Sequence, residues 1–443
     1  MNTVLKDFVK YVSSNIMGMI GLSCYILADT FFIARGVGAD GLTSLNLAIP
    51  VYSFINGIGL MISMGSATRY SISRGNGDRQ AFRDIFSQAV YFTAVMSAVI
   101  VILGITSAES LSLLLGADSA TLNMTASYLK ILMLFTPFFM CNNLLTCFVR
   151  NDGAPELAMA GMLLGTLSNI VLDYLFIFPL HLGMKGAAMA TTAAPCIGIL
   201  ILSTHFFRRK NQFHFHAVRP SLRRMLDICT LGASSLIAEL SSGVVIIVFN
   251  LLLLKFSGNL GVAAYGIIAN IALVLISIYT GIAQGIQPIV SRCYGSREYH
   301  SIKKVLQYAL IVAAALSFLS YIIMFLYAAP ITALFNKDGN PALAAIAEQG
   351  TRIYFTALLF IGINIIASAY LSCVERPGQA FLLSSLRGFL LIIPSAFLLS
   401  FLFGMTGVWL AQPITELLVT LPASAFLYRS AKRMGASDSH NGS

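Results

Sequence analysis

Four acids sit inside long apolar stretches, where a charge is costly and marks function by default: Asp29, Asp173, Glu239 and Glu416. Asp173 follows Asn169 by four residues, which puts both side chains on one face of a helix. Thr191, further along, adds a hydroxyl. Asp29, Asn169, Asp173 and Thr191 together offer two carboxylates, an amide oxygen and a hydroxyl, hard oxygen ligands able to hold either Na⁺ or protons. Two carboxylates in low dielectric repel unless a cation or proton intervenes, so this set is a candidate ion switch. The plainer reading makes Asp29 a helix-end residue and Asp173 a hydrogen-bonded structural acid. Glu239 and Glu416 lie mid-stretch, placed either to attract a cationic substrate or to titrate with the coupling ion. Their plainer reading is a buried acid bonded to a neighbour such as Ser241 or Gln412.

Other groups read as structural. Glu348 precedes Arg352 by four residues in the favourable order, so local pairing explains that arginine, and snorkelling explains Lys130. Gly161/Gly165 and Gly281/Gly285 are spaced to let helices pack closely. The histidines at 181, 205, 214, 216, 300 and 440 fall in loops, at stretch ends or in the tail and read as solvated. No serine-histidine-acid set, phosphate loop or metal motif is present, so neither an enzyme nor a cofactor is expected.

Positioning these acids requires a bilayer. Of 443 residues, 57% are hydrophobic and 10% charged, whereas soluble domains carry about 25% charge. Apolar runs recur near 10–34, 42–70, 85–108, 122–149, 157–179 and 186–207, then near 226–254, 262–290, 304–329, 343–373, 380–403 and 406–428. Each is long enough to cross the hydrocarbon as a helix, and none alternates like a barrel strand. The net charge of +10 lies in short loops without aromatic interleaving, which excludes nucleic acid as a partner. The seven cysteines show no CxxC and read as small buried residues. Lys6 and Lys10 precede an apolar helix with no cleavage site, as in a retained first span.

The basic residues also orient the chain. With both termini on one side, that side collects 21 Lys and Arg against 4 on the other, which places termini and linker in the cytoplasm of an inner (plasma) membrane protein. A shift of 220 superimposes Gly65 on Gly285, Ser71 on Ser291, Gly75 on Gly295, Asp78 on Glu298, Arg83 on Lys303 and Asp118 on Asp338. A shift of 221 aligns Gly183, Met184, Gly186 and Ala190 with Gly404, Met405, Gly407 and Ala411. The expected fold is all-α integral membrane: twelve transmembrane helices in two six-helix bundles, related by a pseudo-two-fold axis along the membrane normal. The expected divisions are an N-lobe at 1–207, a cytoplasmic linker at 208–224, a C-lobe at 225–430 and a cytoplasmic tail at 431–443.

Over nearly its whole length the chain resembles the multidrug and toxic compound extrusion (MATE) family. The matching pieces are Ala28-Asp29-Thr30-Phe31-Phe32-Ile33 with Gly-Val-Gly-Ala at 36–39, Arg150-Asn-Asp-Gly-Ala-Pro155, and Asn169-Ile-Val-Leu-Asp173. They continue with Gly183-Met-Lys-Gly-Ala-Ala-Met-Ala-Thr191, Gly281-Ile-Ala-Gln-Gly-Ile-Gln-Pro288 and Tyr294-Gly295. The resemblance implies cation-coupled export of small amphipathic organic cations by alternating access, with H⁺ or Na⁺ as the coupling ion and the monomer as the working unit. In the DinF-type branch the cation site uses an aspartate in span 1, Asn-x-x-x-Asp in span 5 and a threonine in span 6; Asp29, Asn169, Asp173 and Thr191 match, and a Na⁺ would sit there. Other branches use acids in spans 7 and 10. Glu239 is similar to the former, while span 10 offers only Asn364, which joins Glu239 and Glu416 as a substrate-binding candidate. Span 1 has Ser13-Ser14-Asn15 and lacks the proline of some members. The alternative is a flippase for lipid-linked saccharides with the same two-lobed architecture.

Overall fold

Backbone at membrane depth satisfies its hydrogen bonds only within helices or closed barrels, and the chain takes the first route. The computed structural model describes residues 3–207, 211–336 and 339–441, without the side chains of Arg79 and 435–441. Linker residues 208–210, Lys337 and Asp338, the repeat partner of Asp118, lie outside the described residues, as does the side chain of His440.

Among the described residues nine helices are long and apolar enough to cross a membrane, or ten when Leu122–Leu134 and Thr136–Asn151, bent by 48°, count as one span. Two of these are hairpins. At Gly258 the backbone takes φ 60° and ψ −147°, and a Cβ on Gly261 would stand 2.8 Å from the carbonyl oxygen of Leu253, eight residues earlier. Eight residues of straight helix span about 12 Å, so the chain has reversed. Gly404 does the same with φ 60° and ψ −136°, so that a Cβ on Gly407 would collide with the Leu399 oxygen, again eight residues earlier. Two hairpins bring ten crossings to twelve.

The spans are α1 (Thr3–Gly36), α2 (Ala39–Gly75), α3 (Arg79–Leu114), α4 (the bent pair), α5 (Pro155–Ile177) and α6 (Gly183–Phe207). The second set is α7 (222–257), α8 (259–295), α9 (Tyr299–Leu326), α10 (Pro341–Cys373), α11 (377–403) and α12 (405–441). Pro137, at the bend in α4, has no N–H to donate and crowds the preceding turn. In the turn before α4 the Thr121 hydroxyl and the Thr121 and Ala120 amides donate to Asp118, holding its carboxyl below the usual range. α1 runs without an internal proline.

Two hydrophobic cores result, one for each set of six helices, with an exchange at the linker side. Phe8, Tyr11 and Val12 of α1 pack into the second core, and Ile228 of α7 packs into the first. Glycines permit this, because helices in lipid associate by close packing of small residues. A Cβ on Gly65 would lie 2.0 Å from the Ile228 oxygen, and one on its repeat partner Gly285 would lie 2.7 Å from the Val12 Cα. The repeat partners Gly75 and Gly295 meet across the axis: added Cβ atoms would stand 2.2 Å from the Arg292 oxygen and 2.1 Å from the Ile72 oxygen. Gly165, likewise, lets α5 close on α6.

Polar contacts between the halves gather on the same side. Arg69 chelates Asp227 at 2.6 and 2.7 Å and also pairs with Glu375. Asn151 donates to Gln287 at 2.9 Å, and Arg150 donates to Gln284 at 2.8 Å. The structure is therefore closed at the linker side. Gly295→Leu is expected to pry this seal open, since overpacking costs about 1–3 kcal/mol. Buried Cys147 and Cys373 near the seal would then react with maleimide roughly tenfold faster; unchanged reactivity would mean the glycine contact does not hold the seal.

Two expectations need correcting. Of the cysteines only Cys147, Cys293 and Cys373 are buried; Cys24 is exposed, and Cys141, Cys196 and Cys229 are half-buried. His205 is buried, not solvated: it pairs with Asp152 at 2.9 Å, and Asp152 also accepts from the Tyr70 hydroxyl and the Gln212 amide. Phe213, fully buried among Tyr70, Phe86, Phe148 and Phe206, pins the linker beside this pair.

Candidate functional site

α1 lies along α5, held close where Gly18 meets Met162, Gly21 meets Leu163 and Gly36 meets Ile177. That packing turns Asp29 toward the α5 face bearing Asn169 and Asp173, while α6, drawn against α5 at Gly165 and Ala194, carries Thr191. Asp29 is 7% exposed, Asn169 and Asp173 are 0% exposed and Thr191 is 5% exposed, so the set is shut away from bulk solvent.

The Asp29 and Asp173 carboxyl groups lie within hydrogen-bonding reach of each other. As carboxylates neither has a hydrogen to give. Asp29 Oδ1, both Asp173 oxygens and both polar atoms of the Asn169 side chain have no partner among the described residues. Thr191 Oγ1 donates to the Ala187 oxygen at 3.0 Å, leaving its lone pairs free to ligate. A buried polar group without a partner costs about 1–3 kcal/mol, and more when charged. A proton between the carboxyls, or a cation among the oxygens, supplies what is missing. The donor set of carboxylate, amide and hydroxyl oxygens fits a hard monovalent ion.

Around this cluster stand tyrosines that sequence reasoning did not single out. Tyr128 of α4 is buried, and the Tyr25 hydroxyl lies 3.3 Å from that of Tyr52. Glu239 of α7 packs against α2, its Cβ 3.3 Å from where Gly57 would carry one, and on α2 Asn56 accepts from Asn143 at 2.9 Å. Glu239 thus stands where the halves meet, against the helix that carries Asn56 and Tyr52.

Glu416 and Asn364 are also brought together, in a different setting. Arg387 donates to Glu416 from Nε at 3.0 Å to each oxygen and from Nη2 at 2.8 Å. Asn364 donates to Glu416 at 2.7 Å, Gln412 donates at 3.3 Å, and Thr420 donates to Asn364 at 3.1 Å. Every oxygen of Glu416 has a donor, unlike those of Asp173. Arg387 sits on a π-helical turn at Leu386–Leu390, a local irregularity frequent at functional sites. Sequence reasoning missed Arg387, although the rule that flagged the buried acids applies equally to a base at membrane depth. Arg150, read as part of a motif and counted among the 21 basic residues of the cytoplasmic side, is not a solvated loop residue. It is fully buried without an acid, donating to Asn15 and Gln284 at 2.7 and 2.8 Å, and its Nε has no partner among the described residues. Arg352 pairs with Glu348 at 2.7 Å, as its spacing indicates.

The MatE family model matches residues 15–175 and 235–398. The chain is 25% identical to the multidrug export protein MepA of Staphylococcus saprophyticus, over 98% of this chain and 95% of the relative. It is 26% identical to MepA of Staphylococcus haemolyticus over the same shares. Its fold is similar to that of a solved outward-facing multidrug resistance MATE family transporter of the MOP superfamily, with TM-score 0.91 at 21% identity, covering 97% of this chain and 96% of that one. A MOP superfamily transporter from Pyrococcus furiosus Vc1, for which a binding pocket of reverse polarity suggests a different function, matches with TM-score 0.90 at 21% identity and the same coverage.

Proposed function

The chain belongs to the MATE family of efflux transporters, and on that premise we propose that it exports amphipathic organic cations in exchange for H⁺ or Na⁺, by alternating access between its two lobes. The observation that carries this reading is the carboxyl pair of Asp29 and Asp173, buried together with unpartnered oxygens. A pair that needs a cation or proton is stabilised differently with and without it, which is what coupling two conformations to an ion gradient requires. Asn169 and Thr191 complete the ion site.

Glu239, packed on α2 at Gly57, is the proposed cation-attracting wall of the cleft. Asn364 and Glu416, engaged with Arg387, contribute less to substrate affinity. The linker side is the cytoplasmic face of the plasma membrane, because it bears the basic residues. The arrangement closed on that side is then the outward-facing state. The N-lobe at 1–207, the linker at 208–224 and the C-lobe at 225–430 move as the rocking parts, within a single chain.

Efflux from proteoliposomes tests the substrate class. Glu239→Gln should raise the KM for cationic compounds about tenfold, the loss of one charge-assisted contact, and leave neutral ones near wild type. Export confined to anions, with cations failing to compete, would rule this reading out.

A further inference from the structure

Away from the acids, where α3 meets the linker, a cavity of about 720 Å³ is lined by Arg83, Asp84, His216, Arg219, Ser221 and Arg224 among others. Asp84 engages two of its neighbours, accepting from Arg224 at 2.9 Å and lying 3.0 Å from the His216 ring nitrogen. The guanidinium groups of Arg83 and Arg219 have no hydrogen bond or ion pair among the described residues, so the cavity keeps an excess of positive charge. Its linker wall is fixed in place. Gln88 donates to the Arg219 oxygen at 2.7 Å and accepts from the Ser221 amide at 3.0 Å, and the His216 amide donates to Ser87 at 3.0 Å.

Exposed apolar residues adjoin the cavity's lining residues along the chain. Phe215 is 56% exposed and meets Tyr91 edge-on at 5.6 Å, two helical turns along α3 from Asp84. Leu222 and Leu226, at the start of α7, are 72% and 57% exposed. Aromatic rings of this kind mark the interface between lipid and water. A phosphate alone would use only the arginines; a molecule with a phosphate head and acyl tails would use both surfaces.

We propose that this cavity binds the phosphate of an anionic phospholipid headgroup between Arg83 and Arg219, with the acyl chains along Phe215, Leu222 and Leu226. The placement rests on the linker side being cytoplasmic, where anionic lipid attracts basic pockets. Since α3 belongs to the first lobe and Leu226 to α7 of the second, a bound lipid bridges the lobes on the side that is closed here.

Native mass spectrometry of the detergent-purified full chain, titrated with phosphatidylglycerol or phosphatidylcholine, tests the proposal without any transport step. A failed coupling assay therefore leaves it standing. Wild type should retain phosphatidylglycerol in preference to phosphatidylcholine, and R83Q/R219Q should bind it roughly thirtyfold more weakly, at about 1 kcal/mol for each arginine. Both arginines are exposed, so the fold is not at stake. K303Q/K304Q, which removes equal charge elsewhere on this side, should bind like wild type; an equal loss there would reduce the effect to diffuse attraction and overturn the site. Full displacement of the lipid by millimolar inorganic phosphate would assign the cavity to free phosphate and overturn the lipid reading.

Discussion

Asp29→Asn and Asp173→Asn are each expected to abolish gradient-driven efflux, lowering it by about a hundredfold or more to the passive leak, while the protein stays folded and still binds substrate. Each replacement keeps the shape of the side chain and removes one charge. An amide can donate directly to the remaining carboxylate, so the pair no longer needs a proton or cation to lie together. The ion then has no difference in affinity between the two lobe arrangements, and a ligand that binds both equally shifts nothing. Stability should hold or rise, because a buried charge has been removed. Thr191→Val and Asn169→Ala, which each remove one ligand of the ion, should weaken ion dependence without eliminating it. The readouts are efflux from proteoliposomes under separately imposed Na⁺ and pH gradients and drug binding by fluorescence. Wild-type rates in both aspartate variants, with Glu239→Gln dead, would move the coupling site to the second lobe.

The second large effect concerns stability. Glu416 is 1% exposed and the Arg387 side chain 19%, so breaking their pair strands a charge in low dielectric, at a cost of about 3–5 kcal/mol. Glu416→Met and Arg387→Met should each lower the thermal midpoint markedly. The double variant should recover most of the loss, since replacing a whole buried pair by apolar groups of similar volume is often neutral or stabilising. The double cycle separates this from simple cavity formation: losses that add in the double variant would show that the pair does not act as a unit.

Much of the scaffold was legible because a bilayer leaves only one way to satisfy the backbone of each apolar run. The 220-residue repeat was legible too, and its physical meaning is packing: Gly65 with Gly285, and Gly75 with Gly295, are the places where helices of opposite halves touch. Asn169 and Asp173 advertised themselves by helical spacing. What did not read through were partnerships made across the fold. His205 looks like a helix-end histidine until Asp152, 53 residues earlier, closes on it. Arg387 finds Glu416 only after α11 and α12 fold back at Gly404, and the π turn that carries it has no spacing signature. Tyr25, Tyr52 and Asn56 sit in apolar runs where such residues ordinarily pack; only the fold brings the Tyr25 and Tyr52 hydroxyls together and lays Glu239 of α7 against α2.

The claim that the Asp29–Asp173 site sets which side is open is tested most directly by a distance across the far ends of the lobes. Leu114 and Leu334 are related by the repeat, 82% and 76% exposed, and lie at the ends remote from the linker. Spin labels at these two positions in a Cys-depleted chain report lobe separation by double electron–electron resonance. The wild-type distribution should move between a long and a short distance as Na⁺ or pH is varied. In Asp173→Asn it should stay at one distance whatever the ion. A variant that shifts with the ion as the wild type does would contradict the account.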